Sequence, residues 1–390
     1  MSTWESSSAL LKESHAPWDG QAVYNKPGRR PPQAAVGYHK AVERKLSVAV
    51  LGATGAVGGE FLTLFERRHF PVGGLRLLAS ERSAGKRLLI RGKEIAVVPV
   101  APTSFDGVEV AFFSAGASRS REFAPPAMAA GALVIDNSSA FRMDPGVPLV
   151  IPEINAHAVG PKDRLIAVPN CSAILVLMAV APLRALGRIE RLVVSTYQSA
   201  SGGGAALMRE LREQTGEVLA GREPRAGIAP DPYAFNLFSH NTPINEAGYN
   251  EEEWKVILEC RKILGATELK VNVTCVRVPV LRAHSASITI EFAGAAPTED
   301  AVRSALAAAP GVRVIDDRAA NRFPTPLLAS GQDDVLVGRI RRDLSHPSAI
   351  SLFACTDQLL KGAALNALQI AELALGLPQP PALPPASTPP

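Results

Sequence analysis

An apolar hexapeptide, Leu46-Ser47-Val48-Ala49-Val50-Leu51, runs directly into Gly52-Ala53-Thr54-Gly55-Ala56-Val57-Gly58, and a helical stretch follows from Glu60 to about Arg68. Strand, glycine turn and helix in that order constrain a fold strongly, because they open a βαβ unit. The glycines let the backbone turn tightly and approach a pyrophosphate resting on the helix N-terminus. The spacing is G-x-x-G-x-x-G rather than G-x-G-x-x-G, so a purely structural turn competes with nucleotide binding here. Leu75–Ala79, Glu109–Phe113 and Leu133–Ile135 read as further strands, apolar throughout, with a helix over Phe123–Ala130. This alternation predicts a parallel sheet covered on both faces.

The second strand ends at Ser80-Glu81-Arg82-Ser83-Ala84-Gly85-Lys86. This lies about 20 residues beyond the glycine turn, where an adenosine ribose is read. Arg82 with Ser80, Ser83 and Lys86 suits a 2′-phosphate and hence NADP; a solvated hairpin is the other reading. Asp136-Asn137-Ser138-Ser139-Ala140-Phe141-Arg142 follows the fourth strand, and the first domain runs to Val168.

Pro169-Asn170-Cys171-Ser172-Ala173 then leads an apolar run that predicts a helix to about Leu186. Asn170 is a good N-cap, and a helix N-terminus favours thiolate over thiol at Cys171. Cys171 is a candidate nucleophile; the alternative is a small buried residue at a helix start. A strand over Arg191–Tyr197 ends in Gln198-Ser199-Ala200-Ser201-Gly202-Gly203-Gly204, and a helix follows near Ala205–Leu219. Residues 220–250 are rich in Pro, Asn and Gly and read as one long irregular region. Asn250 and Glu253 form an N-x-x-E capping box for a helix to about Leu264. Leu269–Val280 and Ser285–Phe292 are strands joined by a short link. Arg277 and His284 each end an apolar face, where an arginine requires an anion. That anion is either a structural carboxylate or a ligand, and His284 is either a hydrogen-bonded core residue or functional. A helix over Pro297–Ala309 and strands over Val312–Asp316, Val335–Ile340 and Ile350–Ala354 complete an antiparallel-looking sheet. A last helix runs over Lys361–Leu375, with Gly376 and Pro378 as stop signals.

At 390 residues the chain is long enough for two domains. The net charge of +4 is small, and no basic patch interleaved with aromatics points to nucleic acid. Four cysteines lie far apart without a CxxC pair, so no metal site or disulfide framework is expected. That usage fits a reduced cytoplasmic compartment. No apolar run is long enough to span a bilayer, and no secretory leader is evident. Residues 1–45 read as a flexible extension and residues 376–390 as a proline-rich disordered tail.

Taken in order, these stretches resemble the aspartate-β-semialdehyde dehydrogenase family. The resemblance rests on the glycine turn, Ser80–Lys86, Asp136–Arg142, Pro169–Ser172 and Tyr197–Gly204. It extends through Cys275-Val276-Arg277-Val278-Pro279-Val280, His284-Ser285 and Lys361–Ala367. It implies a Rossmann-type parallel-sheet cofactor domain (46–168, completed by the C-terminal helix 356–375) plus an α+β catalytic and dimerisation domain (169–355). The implied reaction is reversible, NADP-dependent reductive dephosphorylation of β-aspartyl phosphate to aspartate-β-semialdehyde, with inorganic phosphate as co-substrate. It serves lysine, threonine, methionine and diaminopimelate biosynthesis in a homodimer. By resemblance, Cys171 is the nucleophile, His284 the acid–base residue and Gln198 the substrate-positioning residue. Arg277 would bind the substrate carboxylate and Glu252 its amino group; Lys255 and Arg142, with Asn170 nearby, would bind phosphate. Cofactor contacts fall on Thr54, Gly55, Ala56, Val57, Ser80, Arg82, Ser83, Ser201, Gly202 and Asn366. N-acetyl-γ-glutamyl-phosphate reductase shares this chemistry, and the Arg277…His284 spacing and the Gln198 glycine loop favour the aspartyl enzyme. A non-catalytic binding paralogue is the remaining alternative; joint retention of Cys171, Gln198, Arg277 and His284 argues against it. The stretch Phe235–Asn241 departs from the commonest family pattern.

Overall fold

Two seven-stranded sheets organise the chain, as a computed structural model shows for residues 44–90 and 92–377. The expected extension up to residue 43 and the proline-rich tail from residue 378 lie outside the described residues. The first sheet comprises β1 (Leu46–Leu51), β2 (Val72–Ala79), β3 (Arg87–Ile90), β4 (Lys93–Pro99), β5 (Val110–Phe113), β6 (Leu133–Asp136) and β7 (Leu165–Ala167). Its order is β3-β4-β2-β1-β5-β6-β7, and all neighbours are parallel except β3 and β4. The chain order reverses at β1, between β2 and β5. In open parallel sheets such a switch point leaves a crevice at the strands' carboxyl ends, where ligands bind. The β3–β4 hairpin is an addition that the sequence pattern did not announce, since most of its residues are solvent-exposed.

Helix α1 (Ala56–Arg67) starts at Ala56, ahead of the expected Glu60. Glycines usually disfavour a helix interior, but here Gly58 fits where nothing else does. A Cβ on Gly58 would lie 2.3 Å from the Gly52 carbonyl oxygen. Helix α2 (Ala117–Ala129) covers the sheet beyond β5.

Helix α3 (Cys171–Val180) is apolar all round, and all its residues after Cys171 are buried. A helix of that kind belongs inside a core. Its α-helical ladder stops before Leu186, and Ala181–Leu186 continues as a 3₁₀ turn. Pro182 has no N–H to extend the ladder. One continuous apolar cluster runs from Val48 and Ile135 through Ile174 and Val176 to Val194 and Ile288, so α3 joins both sheets.

The second sheet holds β8 (Ile189–Gln198), β9 (Phe238–Ser239), β10 (Lys270–Arg277), β11 (His284–Phe292), β12 (Val312–Val314), β13 (Val335–Arg342) and β14 (Ala349–Thr356), in the order β12-β13-β14-β11-β8-β10-β9. It is mixed rather than antiparallel: β8 with β10 and β12 with β13 are parallel. The strands β10 and β11, close in sequence, do not pair; β8 lies between them. Helices α4 (Gly204–Leu219), α5 (Glu251–Leu264), α6 (Glu299–Ala308) and α7 (Leu365–Ala374) are the other long helices of the described residues, beside the single turns Pro152–Asn155 and Pro326–Ala329. Both bonds of the α5 capping box form: Glu253 N–H donates to Asn250 Oδ1, and Asn250 N–H donates to Glu253 Oε2. The expected last helix opens as a π-helical turn over Leu360–Ala364. It packs back against the first sheet's side of the molecule, where Arg68 pairs with Glu372 and Asn366 Nδ2 donates to the Val150 carbonyl.

Candidate active site

Strand register brings the candidate residues together. Arg277 pairs with Gln198 at the carboxyl ends of the parallel strands β10 and β8. The strand β11 runs antiparallel to β8, so its first residue, His284, arrives at the same edge. The N-termini of α3 and α5 add Cys171 and Glu252. Asn170 caps α3, with its Oδ1 accepting from Ser172 N–H and Ala173 N–H. Its Nδ2 donates to Glu252 Oε1 at 2.8 Å. Gln198 Nε2 donates to the same oxygen at 3.0 Å and to Ser172 Oγ at 2.9 Å. Lys255 Nζ lies 3.6 Å from Glu252 Oε2.

Arg277 Nη1 donates to the Ser199 carbonyl at 3.0 Å, and its Nη2 donates to His240 Nε2 at 2.8 Å. Among the described residues no carboxylate forms an ion pair with it, which favours the ligand over the structural carboxylate. Ser199 N–H donates to His284 Nδ1 at 3.0 Å. Among the described residues, three buried atoms at this edge have no partner: Gln198 Oε1, Arg277 Nε and His284 Nε2. An unsatisfied buried polar group costs about 1–3 kcal/mol, so such groups mark a place where a ligand supplies the missing bonds.

The charges around the site are uneven. Burial acts to raise the Glu252 pKa, but His240, Lys255 and the bonds from Asn170 and Gln198 outweigh it and hold it at about 2. Burial lowers His284 to about 3, with Arg277 adding to the effect. Burial likewise lowers His240 to about 4.

Cys171 departs from the thiolate expectation. Burial, reinforced by the Glu252 charge, pushes its thiol up to about 12, against the opposing pull of Arg142, Arg277 and the Ser172 N–H. The capped helix start is present, but its influence is smaller than desolvation beside a carboxylate. The expected result is that alkylation of Cys171 in the unliganded protein climbs about tenfold per pH unit between pH 7 and 10. Peptide mapping would follow it cleanly, because Cys260, Cys275 and Cys355 are buried. A plateau below pH 8 would show a thiolate instead.

Arg142 is deep beneath the site. It donates to the carbonyls of Val168 and Asn137 and pairs with Glu259 at 3.1 Å. Only Lys255, of the two residues expected to bind phosphate, stands half-exposed with its ammonium beside the site carboxylate.

The proposed cofactor positions split. Gly52 has φ +90°, and a Cβ there would lie 2.3 Å from the Ser114 carbonyl oxygen. Gly55, at the start of α1, supplies no side chain to cap the helix, leaving first-turn N–H groups free for a pyrophosphate. Thr54 Oγ1 bonds Ser83 Oγ at 3.2 Å, and Ser80 and Arg82 are exposed at the end of β2. The residues present thus fit a dinucleotide. Ala56 and Val57 line the same turn, half-buried. Two expected contacts do not present free side chains. Ser201 is buried against Gln358 and Ser199. Asn366 is wholly buried between Val150 and Lys361, because the buried Lys361 ammonium draws Glu153, Asn366 and Gln369 around it as acceptors.

Sequence reasoning missed several supporting residues. Glu259 Oε2 accepts the Asn170 N–H at 2.5 Å. Its signal was a carboxylate on the buried face of α5, two helical turns after Glu252. Gln358 Oε1 accepts the Ala283 N–H at 2.9 Å, where Ala283 holds φ +74° immediately before His284. Gly362 lies so close to Cys171 that a Cβ would sit 3.0 Å from the cysteine Cβ. Among the described residues there is no cluster of metal-ligating side chains and no helix long and apolar enough to cross a membrane.

A two-domain family signature covers most of the chain. Residues 47–161 match a semialdehyde dehydrogenase NAD-binding domain, and residues 180–361 match a semialdehyde dehydrogenase dimerisation domain. Aspartate-semialdehyde dehydrogenase from Synechocystis is 52% identical over 84% of this chain and 97% of its own length. That from Bacillus subtilis is 43% identical over 84% of this chain and 97% of its own. A crystal structure of aspartate semialdehyde dehydrogenase II from Vibrio cholerae, complexed with ASA, superposes with a TM-score of 0.82 at 41% identity, covering 85% of this chain and 99% of that one. The fold and site thus define a semialdehyde dehydrogenase. The chain belongs to the aspartate-semialdehyde dehydrogenase family.

Proposed function

We propose that the protein catalyses the reversible reductive dephosphorylation of β-aspartyl phosphate to aspartate-β-semialdehyde. The observation that carries this reading is the trio of unpartnered buried atoms, on Gln198, Arg277 and His284, gathered at one sheet edge. A substrate with a carboxylate, an amine and a reactive carbonyl matches the groups available. Arg277 receives the α-carboxylate, to which a guanidinium presents a planar fork. Glu252, ionised at neutral pH, receives the amino group. Gln198 orients the substrate, Cys171 Sγ attacks the carbonyl carbon and becomes acylated, and His284 meets the carbonyl oxygen. Lys255 attracts the phosphate that releases or accompanies the acyl group, and the buried Arg142 with Asn170 supports it.

The cofactor is proposed to be NADP, which supplies or accepts the hydride when bound. Thr54, Gly55, Ala56 and Val57 hold its pyrophosphate end, and Arg82 with Ser80 and Ser83 holds a 2′-phosphate. Arg82→Ala is expected to lower the kcat/KM preference for NADPH over NADH by about 10–100-fold, the worth of a charge-assisted phosphate bond. An unchanged preference would show that Arg82 does not read the phosphate.

The chain is further proposed to act as a homodimer in the cytoplasm, in lysine, threonine, methionine and diaminopimelate biosynthesis. The match to a dimerisation domain supports the dimer, as do the exposed Phe235, Leu237 and Ile244. We divide it into a cofactor domain, 46–168 completed by 356–375, and a catalytic domain, 169–355. The test is phosphate-dependent NADPH formation from aspartate-β-semialdehyde and from N-acetylglutamate-γ-semialdehyde. A clear preference for the first is expected; preference for the second, or no turnover with either, would overturn the reading.

A further inference from the structure

The turn that opens the last helix is wound one residue wider than an α-helix. Across Leu360–Ala364 the Ala364 N–H donates to the Leu359 carbonyl at 3.0 Å and the Gly362 N–H to the Asp357 carbonyl at 3.3 Å, each five residues back. Such π turns are rare and are frequent at functional sites. The extra residue has two consequences here. In a regular α-helix, residues five apart lie about 140° apart around the axis. The wide turn absorbs one residue, so Lys361 and Asn366 share a face, with Gln369 one turn on. The buried Lys361 ammonium donates to Asn366 Oδ1 at 3.0 Å, to Gln369 Oε1 at 2.8 Å and to Glu153 Oε2. All three of its protons are thereby used. Gln369 Nε2 donates to the other Glu153 oxygen at 2.8 Å, and Asn366 Nδ2 to the Val150 carbonyl. The second consequence is the placing of Gly362, whose backbone presses on the start of α3. A Cβ there would lie 3.0 Å from Cys171 Cβ and 3.5 Å from Cys171 Cα.

We propose that Lys361 is a positioning residue for the nucleophile: its buried ammonium locks the π turn, and the turn seats the Gly362 backbone against Cys171. This deepens the proposed reaction and rests on it. A lock is needed because the α-helix is the ordinary winding of such a segment. Relaxing to it would rotate the residues ahead of Leu365 by about 100° relative to α7, the angle that one residue spans. Ala363 would move toward the place of Gly362 and carry a Cβ into space that holds none. The same rotation would pull the Lys361 ammonium from its acceptors, and a buried cation stripped of its partners is costly. The charge therefore fixes the register. Glu153 stands on the Pro152–Asn155 turn, between β6 and β7, so the register is tied to the first sheet. Lys361 acts through Gly362, and Cys171 remains the catalytic residue. A nucleophile displaced by about 1 Å loses on the order of 10²-fold in rate, which is the scale of the effect.

Two variants of the full-length enzyme test it. Gly362→Ala adds the methyl directly, at a position whose backbone is not left-handed. Lys361→Met combined with Glu153→Gln removes the lock and both buried charges together, so no unpaired carboxylate is left to unfold the protein. Each variant is expected to melt near the parent and to lose about 10–100-fold in kcat, with KM for aspartate-β-semialdehyde within about threefold of the parent. In each, alkylation of Cys171 at fixed pH without substrate, followed by peptide mapping, is expected to change in rate by at least about fivefold. Parental kcat and alkylation in the double variant would reduce Lys361 to a stabilising residue and overturn the proposal. The same result in Gly362→Ala would overturn the contact on which it depends, as would a loss confined to KM in either variant. A wild-type enzyme inactive on aspartate-β-semialdehyde would instead sink the proposed reaction, while the alkylation comparison would still decide the positioning.

Discussion

Cys171→Ser is expected to fold, melt and bind NADPH like the parent while losing turnover by a factor on the order of 10⁴ or more. The expectation follows from how the residue is held. The helix start is built by Asn170, whose side chain caps Ser172 and Ala173, and by Glu259, which accepts the Asn170 N–H. None of these contacts involves the cysteine sulfur, so serine leaves them in place. What it removes is the sulfur. An alcohol oxygen in this desolvated position beside Glu252 is a far poorer nucleophile than a thiol, and its ester is harder to discharge to phosphate. Initial rates, a thermal melt and NADPH fluorescence titration check the three parts. Near-parental turnover would remove Cys171 from the mechanism.

Gly202→Ala is expected to reduce kcat about 100-fold with little change in melting temperature. Gly202 does not occupy a left-handed conformation, so alanine is tolerated by the backbone. The difficulty is the added methyl, which would lie 2.9 Å from His284 Nε2 and 3.1 Å from Arg277 Nη1. The ring and the guanidinium would have to retreat by roughly 0.5–1 Å to regain ordinary van der Waals contact, away from the positions in which they meet the substrate. Displacements of this order are costly to a positioned reaction, approaching about 10²-fold for 1 Å. Parallel kcat and melting measurements on the variant check it. Full activity would mean that this edge of the sheet does not host the reacting carbonyl.

Much of the molecule is legible in its sequence. The strand β1 and helix α5 begin and end as their patterns indicate. The reason is local: a glycine turn ends one, and a capping box starts the other. The alternation in β10 and β11 also correctly places Arg277 and His284 at the ends of buried faces. Pairing is not local. Nothing in the short link between β10 and β11 announces that β8 inserts between them, and that insertion is what sets Gln198 between Arg277 and His284. The roles of Lys361 and Asn366 are hidden for the same reason. A lysine in a helical stretch looks solvated until the fold buries it against Glu153 from a distant turn. The Cys171 environment reverses a sequence argument: the helix N-terminus is readable, but the carboxylate of Glu252, arriving from another helix, is not.

The most direct test of the account is to mix the enzyme with aspartate-β-semialdehyde and NADP in the absence of phosphate, quench in acid within one turnover, and map the peptides by mass spectrometry. The account predicts an aspartyl acyl group on the peptide containing Cys171, formed in step with NADPH and lost when phosphate is added before the quench. NADPH formation with Cys171 unmodified, or the acyl group on another residue, would contradict it.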